Sequence, residues 1–419
     1  MNKRDFLKTF GTAAIGSPFL SLDLSSNHKF EDYSKRNNLS ESDFWKKIRE
    51  DYTLKKDYIN LENGYYCIVP NPTLNNFITH VKKINIEGSY YMRHHRDKDN
   101  KRIEARLANF LNCETEELVV TRNTTESLDL IIGGFPWKKG DEAIYAMQDY
   151  GAMQDMFKLV SKRHGVVNKV VSVPNHPKSD EEIVKLYEDQ ITSKTKLIMV
   201  CHMINITGHI LPIRKICDMA HKYGVEVMVD GAHCIGHFKV NISELNCDYY
   251  GSSLHKWLST PLGVGILYIS KNKISKINPL LASHVHEQDN ILRLNHIGTH
   301  PVYTDLAVDN ALDYQEMIGT DRKENRLRYI QRYWSDRLRK IKNVVINTPI
   351  EEHKSCGIAN VGIKNMDPGK LSKILLDKYQ IFTVAINHEN VVGCRISPNV
   401  YTNQEDLEHF ISSIKELAV

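Results

Sequence analysis

Little in this chain points to a cross-linked or metal-built scaffold. Its eight cysteines (Cys67, Cys113, Cys201, Cys217, Cys234, Cys247, Cys356 and Cys394) are scattered without a Cys-x-x-Cys pair. That spacing excludes a zinc ribbon or a disulfide framework as the organising device, and several of them sit in apolar runs where a thiol packs as a small hydrophobe. Histidine is plentiful, but neither His94-His95 nor His284-Val285-His286 belongs to a metal-ligand pattern, so no metal is expected. Thirteen prolines and 22 glycines in 419 residues are too few for a collagenous or linker-rich chain, and no fixed-period repeat occurs. The formal charge of +4 is small and mixed in sign, which excludes a nucleic-acid partner as the expectation. Its densest basic stretch, Arg322 to Arg339, is interleaved with acids and aromatics at helical spacing and reads as a solvated helix face. No run of about 18 apolar residues exists, so no membrane span is expected. Gly-x-x-x-x-Gly-Lys-Ser/Thr, a Gly-x-Gly-x-x-Gly after the first strand, and Gly-x-Ser-x-Gly are all missing, which removes the common nucleotide loops and the hydrolase elbow.

What is present is a globular composition, 41% hydrophobic and 25% charged, in a chain long enough for two or three packed units. The first residues, Asn2-Lys3-Arg4-Asp5-Phe6-Leu7-Lys8 and then Thr9 to Gly16, place a short basic region before a small-residue apolar one. This layout resembles a twin-arginine export signal over 1–26, with Lys3 in place of the first arginine. Periplasmic export is the expectation it carries, with a cytoplasmic protein as the alternative. A polar stretch follows over 27–80, an N-terminal arm with a helix over 42–52. From 81 to 300 helical and strand patterns alternate: helices near 103–111, 126–132, 153–162, 180–190 and 213–223, strands near 118–121, 142–147, 167–173, 196–202 and 225–230, then strands around Tyr249 and over 264–269. Such alternation predicts an α/β fold, a large domain built on a mostly parallel sheet flanked by helices. Residues 301–419 read as a smaller α+β C-terminal domain.

In open parallel sheets ligands bind beyond the carboxyl ends of the strands, and three such ends carry chemistry. The apolar strand ending in Asp230 continues into Gly231-Ala232-His233; a carboxylate there needs a cationic partner to stay charged, though a turn-capping aspartate is the plain alternative. Ser252-Ser253-Leu254-His255-Lys256-Trp257 sets a lysine between a strand and a glycine-bearing turn. An ordinary lysine titrates at about 10.4 and is a poor nucleophile, so a reactive one must be desolvated or crowded by other cations. Thr121-Arg122-Asn123-Thr124-Thr125-Glu126 joins a strand to a hydroxyl-rich helix start, which suits either a phosphate or a simple N-cap. An acid for a pyridinium nitrogen, a lysine for an aldehyde and a helix start for a phosphate together describe pyridoxal 5′-phosphate.

Asp230-Gly231-Ala232-His233 and Ser253-Leu254-His255-Lys256 resemble, in order and spacing, the class V aminotransferase family of fold-type I PLP enzymes, near isopenicillin N epimerase and the cysteine desulfurases. The resemblance implies that Lys256 forms the internal aldimine and moves the Cα proton, that Asp230 pairs with the pyridine nitrogen, and that His233 lies near the ring oxygen. It implies that Asn205 bonds the phenolic oxygen, that Tyr150 stacks on the ring, and that Thr124, Thr125, Ser253 and His255 surround the phosphate. Thr299 would reach the phosphate of a neighbouring subunit, implying a homodimer, and Arg395 would fork onto the substrate α-carboxylate. The implied activity is chemistry at Cα of an amino acid or related amine. Transamination comes first by a modest margin over epimerisation, cysteine desulfurase or selenocysteine lyase is the alternative, and a non-catalytic PLP-binding module is the alternative of another class. Desulfurase chemistry would also need a cysteine in the loop expected at 381–392, which holds none.

Overall fold

The computed structural model describes residues 36, 38–281 and 286–419. The signal-like stretch at 1–26 lies outside them, as do His284 and Val285.

A seven-stranded sheet occupies the centre. Its strands are β2 (Leu118–Thr121), β3 (Glu142–Ala146), β4 (Val167–Val171), β5 (Thr195–Cys201), β6 (Glu226–Asp230), β7 (Tyr249–Ser253) and β8 (Gly265–Ile269), in the spatial order β2-β8-β7-β6-β5-β3-β4. Only β8 runs against its neighbours; every other pairing is parallel. β5 to β8 are almost wholly buried, and β5, β6 and β8 are largely apolar, as a sheet covered on both faces requires. Alternation along each strand divides the core into two layers. Ile198, Val200, Val227 and Val229 join one cluster with Ile103, Leu107, Ile183 and Ile216, whereas Leu197, Met199 and Met228 join the other with Leu128, Ile131, Met153 and Phe157. The helices Arg96–Leu111, Asp180–Glu188 and Ile213–Lys222 therefore cover one face, and Thr124–Gly134 and Gly151–His164 the other. Helix Ile213–Lys222 shows why: Ile213, Ile216, Cys217 and Ala220 form one buried stripe.

A second, antiparallel sheet has the order β12-β13-β10-β9, with β9 at Val344–Ile346, β10 at Ala359–Ile363, β12 at Val384–His388 and β13 at Val391–Ile396. The short β1 (Ile59–Asn60) pairs in parallel with β11 (Ile381–Phe382) in a two-stranded sheet of their own, so the chain before the large sheet is stitched to the C-terminal part of the chain. Helix Glu41–Glu50 does the same: Phe44 lies under the Arg322 guanidinium at 3.4 Å, and Arg49 pairs with Asp406 at 2.8 Å. No helix among the described residues is long and apolar enough to cross a membrane.

Two elements differ from the sequence expectation. The segment 381–392, expected as a loop, forms β11 and a hairpin in which His388 faces Val391 and Glu389 supplies a positive φ of 52°. β12 is an edge strand with both faces partly wet, so it lacks the apolar alternation that marks a strand. Helix Pro368–Tyr379 was not foreseen, although an Asp367 N-cap followed by proline is a start signal.

Gly231 marks a tight crossing beside the sheet's functional end. A Cβ there would sit 2.1 Å from the Tyr250 ring, and the Gly231 amide already donates to the Gly251 carbonyl at 2.8 Å. Gly231→Ala is therefore expected to cost about 1–3 kcal/mol by overpacking, read as a lower denaturant midpoint at unchanged slope.

Candidate active site

Because β2, β3, β5, β6 and β7 point the same way, the loops after them converge on one edge of the sheet. That edge gathers Thr124 and Thr125 after β2, Tyr150 after β3, Asn205 after β5, Asp230 and His233 at and after β6, and Ser253, His255 and Lys256 at and after β7. Arg395 arrives on β13 from the C-terminal sheet; its Nη1 donates to the Asn205 carbonyl at 3.4 Å.

Asp230 is buried at the last position of β6. Its Oδ1 accepts from the Ala232 amide at 2.9 Å, and among the described residues no donor reaches its other oxygen. Removal from water pushes its carboxyl above the usual range, while the Ala232 N–H and the Lys256 charge pull it back. Beyond the Lys256 charge no cation among the described residues acts on it, so the acid is matched to an added cationic partner.

The tautomer of His233 follows from Trp257. Indole can only donate, and Trp257 Nε1 lies 3.3 Å from His233 Nδ1, so Nδ1 accepts and the imidazole proton sits on Nε2. That N–H faces Lys256 Nζ at 3.1 Å. The contact is satisfied only when Nζ offers a lone pair, that is, when Lys256 is an uncharged amine. The electrostatics act in the same direction, enlarging the uncharged fraction of the amine without discharging it at pH 7. Loss of water pushes Lys256 down to about 8, with Asp230 raising it and Arg395 lowering it further. Burial holds His233 well below the ordinary imidazole value, reinforced by Lys256 and Arg395, so the ring stays neutral.

Other groups hold this pair in place. His237 stacks on Trp257 with centroids 3.7 Å apart. Its Nε2 accepts from the Gly357 amide at 2.7 Å, so its Nδ1 donates to the His233 carbonyl at 2.8 Å. Lys323, also buried, donates to the Trp257 carbonyl at 2.7 Å and to Gln315 Oε1 at 2.8 Å. Trp257, His237 and Lys323 were not singled out in the sequence; a histidine four residues after His233 was the one available signal.

At the helix start, the Ser253 hydroxyl accepts the Thr124 amide at 2.9 Å and meets the Thr124 hydroxyl at 2.7 Å. Asn123 caps the helix by accepting from Glu126 at 2.9 Å, and the Thr125 hydroxyl makes no hydrogen bond among the described residues. His255 donates from Nδ1 to the Val264 carbonyl at 3.1 Å, which leaves Nε2 open, and burial pushes the ring down to about 4. Tyr150 caps the helix after β3 and is half exposed, free to lie over a flat ring. Thr299 is exposed, and among the described residues no hydrogen bond or ion pair joins it to the rest of the site.

Arg395 does not present an empty fork. Its Nη2 and Nε donate to the two carboxylate oxygens of Glu62 at 2.6 and 3.1 Å, and both side chains are buried. Glu62 carried no expectation from sequence, since 333 residues separate the pair.

The family model for aminotransferase class-V matches residues 72–410. The chain belongs to the class V aminotransferase family. Among curated relatives, isopenicillin N epimerase of Amycolatopsis lactamdurans is 26% identical over 332 residues, covering 75% of this chain and 83% of that protein. A probable cysteine desulfurase of Methanothermobacter thermautotrophicus is 23% identical, covering 88% and 97%. Among solved structures, the apo cysteine desulfurase of Thermococcus onnurineus shares the fold at a TM-score of 0.79 and 21% identity, covering 89% of this chain and 98% of that one. A C-DES mutant with glycine covalently linked to its PLP cofactor superposes at 0.80 with 18% identity, covering 88% and 99%.

The donor set fits pyridoxal 5′-phosphate. Asp230 has an uncommitted oxygen for the ring nitrogen, Lys256 a lone pair for the aldehyde carbon, and Thr125 and His255 open polar atoms beside the helix start for the phosphate. Among the described residues no group of three or more His, Cys, Asp or Glu is disposed to hold a metal ion.

Proposed function

We propose that this protein is a PLP-dependent enzyme that removes and returns the proton at Cα of an amino acid or related amine, in the manner of an epimerase. The observation that carries the reading is the buried Lys256 amine just after β7, 3.1 Å from His233 Nε2 and lowered to about 8, so that a reactive uncharged fraction is present near neutral pH. When bound, the cofactor supplies an electron sink that makes the Cα proton acidic. Asp230 would keep the ring nitrogen protonated, Asn205 and His233 would hold the phenolic oxygen, and Tyr150 would stack on the ring. Thr124, Thr125, Ser253 and His255 would hold the phosphate, and exposed Thr299 would serve the site of a second copy of the chain. Lys256 would take the Cα proton on its own face, a task suited to a base poised near 8, and inversion then requires a proton delivered to the opposite face by a second donor or by solvent.

Transamination, which the sequence placed modestly ahead of epimerisation, has less behind it: the curated relatives named above are an epimerase and a probable cysteine desulfurase. Cysteine desulfuration is therefore the second reading. Against a relay through the protein's own thiol, seven of the eight cysteines are buried, and burial pushes the partly exposed Cys113 up to about 12. The thiolate, not the thiol, accepts sulfur. Incubation in deuterated solvent with a panel of amino acids separates the readings. Cα deuterium incorporation with loss of optical purity is expected. Sustained sulfide and alanine from L-cysteine would establish desulfuration instead, pyridoxamine accumulation would establish transamination, and bound cofactor with no exchange would leave a binding module.

A further inference from the structure

The Arg395 fork is filled by the chain itself. Glu62 takes both its Nε and Nη2 protons, and its carboxylate is completed by the Tyr65 amide at 2.9 Å and the Ser397 hydroxyl at 3.2 Å. The backbone under it is fixed as well: Glu62 bridges to Ser397, and the Asn63 and Gly64 amides donate to the Ser397 hydroxyl at 2.9 and 3.0 Å. Gly64 lies flat against the guanidinium, where a Cβ would come within 2.6 Å of Arg395 Cζ. The carboxylate thus has four donors and no other described cation beside it, and leaving would strand Arg395 as a buried charge.

We infer that Glu62 is the resident carboxylate of the Arg395 fork, and that the site selects an amine whose Cα carries a neutral carbonyl group, such as an amide or peptide bond, over one with a free carboxylate. The inference rests on the proposed Cα chemistry and names its substrate class. Arg395 and Glu62 together bring no net charge, so an arriving carboxylate meets no uncompensated cation. It must displace a group tethered at an effective concentration of millimolar or higher. Arg395 Nη1 is the least committed donor, with only the long 3.4 Å contact to the Asn205 carbonyl, and one neutral carbonyl oxygen satisfies it without disturbing Glu62.

The test is calorimetric titration of cofactor-loaded protein with L-phenylalanine and L-phenylalaninamide, which differ only at that group. In the wild type the amide is expected to bind about tenfold or more tighter than the acid. In Glu62→Gln the acid should gain at least about tenfold while the amide stays within about twofold, and Glu62→Asp, whose carboxylate is drawn back from the fork, should shift the same way by less. A wild type that prefers the acid, or variants in which the acid loses affinity in parallel with Arg395→Lys, would overturn the inference. Should a variant fail to fold, the wild-type ratio decides alone. Cofactor uptake is read separately from visible absorbance. A colourless protein therefore rejects the cofactor assignment, and the acid-to-amide ratio is then measured on the cofactor-free chain.

Discussion

Lys256→Ala should abolish the borohydride-stable adduct with pyridoxal 5′-phosphate and lower turnover by about 10⁴-fold, the upper end of what a positioned acid–base group contributes. The size of the effect follows from how the amine is prepared. With a pKa of about 8, roughly a tenth of Lys256 is uncharged at pH 7, against about one part in 2,500 for an ordinary lysine. His233 adds to this by pointing its Nε2 proton at Nζ, a contact that an ammonium would lose. Adduct formation by cofactor-free wild type should accordingly rise with pH through about 8, and Trp257→Phe, which frees the His233 tautomer, should move that midpoint upward. Peptide mapping provides the check. Lys323 is the competing candidate, since burial also pushes it to about 8, but both its acceptors are protein oxygens that hold it beneath the Trp257 carbonyl. An adduct mapped to Lys323, or to any lysine besides Lys256, would overturn the assignment.

The core of this arrangement was legible in the linear chain because it is local. β5 and β6 are short, largely apolar runs, the second closed by Asp230, and the buried β7 leads from two tyrosines into Ser253-Leu254-His255-Lys256. The rule that ligands lie beyond the carboxyl ends of parallel strands converts that change into a site. The features that escaped notice depend on contacts between distant segments. Glu62 meets Arg395 across 333 residues, and only the folded chain shows that the expected carboxylate clamp already holds a carboxylate. Which nitrogen of His233 carries the proton depends on where the Trp257 indole points, and that is set by the His237 stack and the Lys323 anchor. Edge position hid β12, since a strand wetted on both faces has no period to read. The same hairpin replaces the loop in which a sulfur-carrying cysteine was sought, so that a compositional argument about residues 381–392 becomes a geometric one.

Asp230→Asn should separate function from stability more sharply than any other change. Activity is expected to fall by about 10²–10³-fold, because an amide cannot keep the ring nitrogen protonated at the end of β6. The cofactor-free variant, however, should melt at the same temperature as the wild type or higher at pH 7. Burial raises the Asp230 carboxyl in the folded state. The stability linked to a raised acid is fully present below its ordinary value and is lost as pH rises through the raised one, so at neutral pH the ionised form burdens the fold. Asparagine removes that burden while keeping the acceptor for the Ala232 amide. The advantage of the variant should therefore vanish on acidification, where the wild-type carboxyl is also neutral. Loading with cofactor should reverse the order, because the wild type gains a cation opposite Asp230 and the variant does not. Melting curves of both proteins, with and without cofactor at two pH values, test each arm. An Asp230→Asn protein that is less stable than wild type in every condition would make Asp230 a structural cap of its turn and remove the cofactor's cation from that end of the sheet.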